Sequence, residues 1–266
     1  MNKNAYSTID LSARRSAQMG IKMNNVKKMI ENIEEMRSIP KGEKFICLFS
    51  GGKDCGLALE LALEQGAELY ELVHCINCDT NEAAWHKQSQ SLAIEQAKCM
   101  ETSLNIVMAG PYQNRNKFIR ELRRYAENGV RYIVCGDIKE GDQAMLEVAV
   151  SLAAGLIPKM PLWYREYDEI VQLQQEYNIE SIITYIEDAA QLGVEWLGKP
   201  FLKEAYNAFQ KCKIDPLGED GEFHSTLIYS KSFKRRMKIV LGEKQDTGRG
   251  IKIPVLCCGE RNGHDI

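Results

Sequence analysis

The sequence has no apolar run long enough to cross a membrane, and its first residues lack the apolar core of a secretion signal. We therefore expect a cytoplasmic protein with no membrane partner. It also has little net charge, because 34 Lys and Arg stand against 37 Asp and Glu and give a formal charge of −3. This balance predicts no general attraction to polyanions, and it disfavours a nucleic-acid partner.

A disulfide framework is also missing from the pattern. The nine cysteines are odd in number and are scattered through apolar stretches that read as core strands and helices. Such a distribution predicts reduced thiols, in agreement with a cytoplasmic location. No internal repeat or low-complexity segment stands out, and 266 residues suffice for one large domain or two small ones.

What the sequence does contain is an anion-binding pattern in Phe45–Leu59. An apolar run ends in two glycines, and a helical pattern follows, so the stretch predicts a buried strand, a tight loop and a helix. Gly51 and Gly52 let the backbone approach a ligand, and the free amides of the first helical turn attract negative charge. Lys53 adds a positive charge. Asp54 would repel a phosphate unless a magnesium ion lay between them, so we predict that Asp54 is a metal ligand.

Two common phosphate-binding loops are excluded by the residues found at their required positions. A Walker A loop would need glycine at Cys47 and a hydroxyl at Asp54, and a dinucleotide fingerprint would need glycine at Lys53. What remains resembles the PP-loop of ATP pyrophosphatases, Ser-Gly-Gly-x-Asp-Ser, with Cys55 in place of the closing serine. The resemblance implies that ATP is cleaved between its α and β phosphates. The nucleotide-binding residues it implies in this loop are Ser50, Gly51, Gly52, Lys53, Asp54 and Cys55.

Strand and helix patterns alternate from residue 43 to residue 158. The pattern predicts an α/β fold with a doubly wound parallel sheet, Rossmann-like and of the PP-loop ATPase type. In such sheets ligands bind beyond the carboxyl ends of the strands, where the loop, Asn77–Asn81 and Gly136-Asp137 would lie. We predict four segments: an extension with one amphipathic helix (1–42), a nucleotide-binding domain (43–158), a smaller C-terminal α+β substrate domain (159–242) and a tail (243–266).

A second chemical site is an acidic loop that ends in the pattern Gly-Glu-Asp-Gly-Glu-Phe-His. Glu219, Asp220, Glu222 and His224 fall within six residues. Carboxylates so close repel one another unless magnesium, an ammonium ion, a substrate amine or a lysine lies among them. His224 could carry a proton. A solvated turn is the ordinary alternative, which the apolar Phe223 inside the loop disfavours.

Taken together, these motifs resemble the diphthine–ammonia ligase family, a branch of the PP-loop ATPases. The resemblance rests on Ser50–Asp54, on Cys135–Ile138 with Glu147 and Gly155–Pro158, on Pro161–Trp163, and on Gly218–His224. Cys55 and the lack of arginines after Gly136-Asp137 indicate a divergent member.

The family resemblance implies a reaction in which ATP, Mg²⁺, a carboxylate and ammonia give an amide, AMP and pyrophosphate. It implies catalytic roles for Lys53, Asp54, Glu219, Glu222 and His224, and it adds Gly136 and Asp137 to the nucleotide site. The carboxylate acceptor, protein-borne or small, is not specified by the sequence.

Two other functions remain open. Cys75-x-x-Cys78 follows the second predicted strand, and thiolates at this spacing can hold metal or carry sulfur, as an RNA-thiolating enzyme would require. A non-catalytic adenine-nucleotide sensor is the third hypothesis, which the retained acidic loop disfavours. The amphipathic helix predicted over Asn24–Ile39 is interpreted as an edge helix, with a homodimer contact as its second interpretation.

Overall fold

The computed structural model describes residues 23–77, 89–108, 114–188 and 191–257. The elements of the first half are α1 (Met23–Ile30), α2 (Ile33–Arg37), β1 (Lys44–Leu48), α3 (Lys53–Glu64), β2 (Glu68–Cys75), α4 (Gln90–Met100), β3 (Leu104–Val107), α5 (Arg115–Glu127), β4 (Tyr132–Val134), α6 (Asp142–Ala154) and β5 (Ile157–Lys159).

Five parallel strands form the central sheet in the order β3-β2-β1-β4-β5. The side chains of β1 alternate between two apolar cores, since Phe45 and Cys47 belong to one and Ile46 and Leu48 to the other. Helices cover both faces of the sheet, as burial of both faces requires. The predicted doubly wound parallel sheet is therefore confirmed, and the phosphate loop follows its central strand.

Two predicted elements differ from the structure, and one strand has no counterpart among the predictions. The helix expected over Asn24–Ile39 is two helices, because Asn32 starts the second one by accepting a hydrogen bond from the Glu35 amide. The sequence pattern predicts a helix from about Ala83 to Leu104; the described helix ends at Met100, and the predicted start lies outside the described residues. The fifth strand, β5, was not predicted, since three residues around Pro158 carry too little periodicity to indicate a strand.

The second half is built mainly from antiparallel strands. Its elements are α7 (Tyr167–Glu176), β6 (Glu180–Glu187), a 3-10 turn (Val194–Trp196), α8 (Lys203–Phe209), β7 (Phe223–Tyr229), β8 (Ile239–Leu241), β9 (Gln245–Asp246), β10 (Gly250–Lys252) and β11 (Val255–Cys257). One sheet has the order β7-β6-β10-β9, and β8 pairs with β11. A smaller α+β part therefore follows the parallel sheet, as predicted.

The prediction of a loose tail over 243–266 is wrong for most of its length. β10 pairs with β6, and Ile253 and Val255 are buried in the core. The polar and glycine-rich composition concealed these strands because each is only two or three residues long. Residues 258–266 lie outside the described part of the chain.

The two halves share one apolar core. Phe45 and Leu57 of the first half belong to the same buried cluster as Ile183, Phe223 and Leu227 of the second. Gly56 permits this contact, since a Cβ there would lie 2.7 Å from Leu227 Cδ2. Within the described ranges, no helix has the length and apolarity needed to cross a membrane.

Candidate functional site

The phosphate loop adopts a conformation that demands glycine. Gly51 has φ +85°, and a Cβ there would lie 2.7 Å from Gln96 Oε1. Gln96 Nε2 donates to the carbonyls of Gly51 (3.0 Å) and Leu227 (2.7 Å), and the Leu227 amide donates to Gly51 O (2.8 Å). The loop is therefore held from behind by α4 and by β7 of the second half.

Cys55 stands where the PP-loop pattern has its closing serine, and its thiol is hydrogen-bonded within the loop. Ser50 Oγ donates to Cys55 Sγ, and Cys55 Sγ donates to the Gly52 carbonyl, both at 3.2 Å. Burial raises the pKa of the Cys55 thiol, which keeps the proton that this second bond needs. The thiol of Cys55 thus links the Ser50 side chain to the backbone of the loop.

Gly136 brings the end of β4 against the start of α3. A Cβ on Gly136 would lie 2.7 Å from the backbone nitrogen of Cys55. This close approach places Asp137 beside the phosphate loop, at the carboxyl edge of the sheet.

A cavity of about 400 Å³ opens where the phosphate loop, the end of β4 and the acidic loop meet. The predicted site residues that line it are Ser50, Gly52, Lys53, Asp54, Cys55, Gly136, Asp137, Glu219 and His224. Gly51 and Glu222 are not among the lining residues. Lys139, Asp215 and Glu147, which sequence reasoning did not place in the site, complete its charged surroundings.

Lys53 is buried in the wall of this cavity. Its Nζ donates to Asp54 Oδ2 and to the Leu217 carbonyl, both at 2.6 Å, and lies over the rings of Phe201 and Phe223. The Lys53 amide donates to Ser225 Oγ at 3.3 Å. The lysine therefore joins the phosphate loop to the acidic loop.

Four buried carboxyl groups of the cavity have raised pKa values and hold their protons more tightly than usual. Burial raises the pKa of Asp54, of Asp137 and of Glu147, and the field of Glu147 raises that of Asp137 further. Burial and the nearby Asp54 raise the pKa of Glu219 to about 8. Each shift marks a site where a cation would lower the free energy of the ionised carboxylates.

Two places in the site could hold such a cation. Asp54 Oδ1 is buried and has no hydrogen-bond partner among the described residues. The ligand atoms of Cys135, Asp137 and Glu147 lie within 4.8 Å of one another. Carboxylate oxygens are the ligands that Mg²⁺ prefers, so Asp54, Asp137 and Glu147 fit this ion.

Glu222 lies in a different environment from the one that its predicted catalytic role assumes. Its Oε1 accepts from the Asp215 amide at 2.8 Å and its Oε2 from the Asp220 amide at 3.2 Å. These bonds fix the turn of the acidic loop, which indicates a positioning role. His224, by contrast, is the second residue of β7, lines the cavity and stacks on Tyr185 with 5.2 Å between ring centroids.

Of the two cysteines that favoured a thiolation enzyme, only Cys75 lies within the described residues. Cys75 lines the cavity, and burial raises the pKa of its thiol, while Cys78 lies outside the described residues. The second half also contains a basic cluster, which consists of Lys234, Arg235, Arg236 and Lys238. Within it, Arg235 pairs with Glu95 and Arg236 pairs with Glu180. Such pairing reduces the charge that this surface offers to RNA phosphates.

The fold and the site define an α/β protein with a PP-loop-type phosphate loop facing an acidic loop. Residues 166–253 match the family model of the diphthamide synthase C-terminal domain, which confirms the resemblance to the diphthine–ammonia ligase family. The matched stretch extends beyond residue 242 and includes β9 and β10. No curated protein sequence matches the chain.

Solved structures show only distant similarity. The U34-tRNA thiolase NcsA from Methanococcus maripaludis, with its [4Fe-4S] cluster, aligns at 15% identity and TM-score 0.37, over 56% of this chain and 62% of the thiolase. A predicted subunit of tRNA methyltransferase from Methanocaldococcus jannaschii aligns at 16% identity and TM-score 0.38, over 71% and 98%. NMN synthetase from Francisella tularensis aligns at 16% identity and TM-score 0.34, over 62% and 70%. The chain thus spans less than two thirds of the thiolase.

Proposed function

We propose that the protein is an ATP-dependent amide ligase that adenylates a carboxylate, releases pyrophosphate and transfers ammonia to the activated acyl group. The observation that carries this proposal is the single cavity lined by both the phosphate loop and the acidic loop. The acidic loop lies within the stretch that matches the diphthamide synthase C-terminal domain.

In the first half-reaction, an oxygen of the substrate carboxylate attacks the α phosphorus and pyrophosphate leaves. The backbone amides of the phosphate loop and Lys53 stabilise the negative charge that grows on the leaving group. Bound Mg²⁺ would neutralise charge on the phosphates, and Asp54, Asp137 and Glu147 are the residues that would hold it.

In the second half-reaction, ammonia attacks the carbonyl carbon of the acyl-adenylate and AMP leaves. The incoming ammonium ion must first lose a proton. Glu219 and His224 both line the cavity and can accept one, and the raised pKa of Glu219 makes it a base matched to a pH near 8. Placement of these groups inside the cavity limits hydrolysis of the acyl-adenylate by water.

The test is an analysis of nucleotide products with ATP, Mg²⁺, ammonium chloride and a panel of carboxylic acids and candidate acceptor proteins. AMP and pyrophosphate are expected, and ADP with phosphate would contradict the proposal. Lys53→Ala should slow turnover at least tenfold, on the order of a lost ionic contact in the transition state. Lys98→Ala is the matched control, since Lys98 is an exposed lysine of α4 outside the cavity.

A thiolation enzyme is the second candidate, because Cys75 lines the cavity. We expect Cys75→Ala to retain amide-forming activity. Zinc or an iron–sulfur cluster at stoichiometric level in the purified protein, together with loss of activity in Cys75→Ala, would favour this alternative.

A further inference from the structure

Lys139 is a cavity residue to which neither the motifs nor the proposed chemistry assigns a role. It follows β4 and lies 36% exposed at the cavity wall. Its Nζ is 2.8 Å from Asp215 Oδ2 and 3.1 Å from Asp220 Oδ1, so it crosses from the parallel-sheet half to the acidic loop. Among the described residues that line the cavity, Lys53 and Lys139 are the only lysines, and there are no arginines.

The two partners of Lys139 are held very differently. The Asp215 side chain is only 6% exposed, and it also accepts hydrogen bonds from Tyr167 Oη (2.5 Å) and from the Leu217 amide (2.9 Å). The Asp220 side chain is 66% exposed. Contact with Asp220 is therefore screened by solvent and easily exchanged, while contact with Asp215 is fixed.

Groups of the acidic loop contact both cavity lysines. Lys53 Nζ is bound by the Leu217 carbonyl as well as by Asp54, and Lys139 Nζ is bound by Asp215 and Asp220. Six acidic residues line the same cavity: Asp54, Asp137, Glu140, Glu147, Glu219 and Asp220. These acidic side chains disfavour a polyphosphate in the cavity, so contacts with both lysines would favour its binding.

We propose that Lys139 is a second phosphate-binding residue, which exchanges its contact with Asp220 for a phosphate oxygen of bound ATP. Asp215, which is itself held by Tyr167, keeps the side-chain ammonium group of Lys139 at the cavity during the exchange. A charge-assisted bond to phosphate is stronger than an exposed ion pair, which gives the exchange its direction. This inference rests on the proposed function only in that ATP is the ligand of the cavity.

The test compares ligands with and without phosphates. Calorimetric titration with ATP and with adenosine separates a phosphate contact from a change in cavity shape. Lys139→Gln is expected to weaken ATP binding about tenfold, the loss of one charge-assisted contact, and to leave adenosine binding unchanged. Lys139→Arg, which keeps the charge, should recover most of the ATP affinity, and Lys98→Gln should match the wild type.

Asp220→Asn provides the complementary measurement. Removal of the competing carboxylate should tighten ATP binding severalfold, and this gain should vanish in the Lys139→Gln/Asp220→Asn double variant, because the exchange needs the lysine. Equal gains with and without Lys139 would overturn the exchange.

Three outcomes separate failure of this inference from failure of the proposed function. If Lys139→Gln binds ATP as the wild type does while Lys53→Gln binds it weakly, the role of Lys139 is wrong and the nucleotide site stands. If Lys139→Gln weakens ATP and adenosine equally, the residue shapes the cavity and contacts no phosphate. A wild-type protein that binds no ATP would overturn both.

Discussion

At the scale of single residues, sequence patterns identify groups that carry their own chemical signature. Ser50–Asp54 and Gly218–His224 are recognisable because glycine and charge alternate in a short stretch, and the structure brings both to one cavity. Glu147 and Lys139 carry no such signature. They reach the site through the packing of α6 and through the loop after β4, which spacing along the chain does not reveal.

Gly136 offers a test of the close approach between β4 and the phosphate loop. In Gly136→Ala the new Cβ would meet the Cys55 backbone nitrogen at 2.7 Å, so the loop or the strand must shift. We expect a loss of about 1–3 kcal/mol in the free energy of unfolding, as for overpacked cores, and weaker ATP binding. Urea unfolding measures the first and calorimetry the second.

Gly141→Ala is the control for this change, since no described atom other than those of its chain neighbours lies within 4 Å of the added Cβ, and its φ of −164° suits any residue. If the two variants lose equal amounts of stability, the close contact between residue 136 and Cys55 is not the cause of the loss in Gly136→Ala.

Glu219 predicts a pH dependence of stability. Its pKa is raised from an ordinary value of 4.5 to about 8, so between these values the folded protein binds more protons at this site than the unfolded chain. The free energy of unfolding should therefore fall as the pH rises from about 4.5 to about 8. Glu219→Gln cannot ionise, and its stability should fall less over the same range. Urea unfolding at pH 5 and pH 8 gives both differences, and parallel slopes would show that Glu219 titrates normally.

At the scale of elements, the strong periodicities were predictable and the short strands were not. β2, α5 and α6 lie close to the strand predicted over residues 69–76 and the helices predicted over 117–127 and 145–154, because their apolar residues repeat over several turns or strand positions. β5, β10 and β11 are three residues long, and each is stabilised by pairing with a strand that is distant in the sequence. Contacts of this kind are tertiary, and local composition cannot predict them.

Gln96 tests how the elements behind the phosphate loop hold it in place. Its buried amide bridges the Gly51 and Leu227 carbonyls. Gln96→Leu keeps the approximate size of the side chain but removes both bonds, and should cost about 1–3 kcal/mol in stability. A looser loop should also bind ATP more weakly. Gln172→Leu is the control, because Gln172 is an exposed residue of α7 that bonds only to Glu176 among the described residues. ATP affinity that is unchanged in Gln96→Leu would contradict the supporting role of this residue.

At the scale of the whole molecule, the division at residue 158 into a nucleotide-binding and a substrate domain stays a prediction. The shared core and the bonds between the phosphate loop and β7 indicate strong coupling between the two halves. We therefore expect the described halves to unfold in one cooperative transition. Separate transitions would be expected if few apolar contacts crossed the boundary.

Two tryptophans report on the two halves, because Trp163, although it follows residue 158, packs into the core of the first half, and Trp196 packs within the second. Trp163 is buried beside α1, where its indole nitrogen donates to Ile30 O, and Trp196 packs edge-on against Phe209 with 5.1 Å between ring centroids. A variant with Trp85 and Trp196 replaced by Phe keeps the first probe, and one with Trp85 and Trp163 replaced keeps the second. Within each variant, the urea midpoint from fluorescence should equal the midpoint from circular dichroism, whatever the substitutions cost in stability. A fluorescence midpoint that differs from the circular dichroism midpoint in either variant would show that the halves unfold separately. The cavity between the halves could then open while one half stays folded.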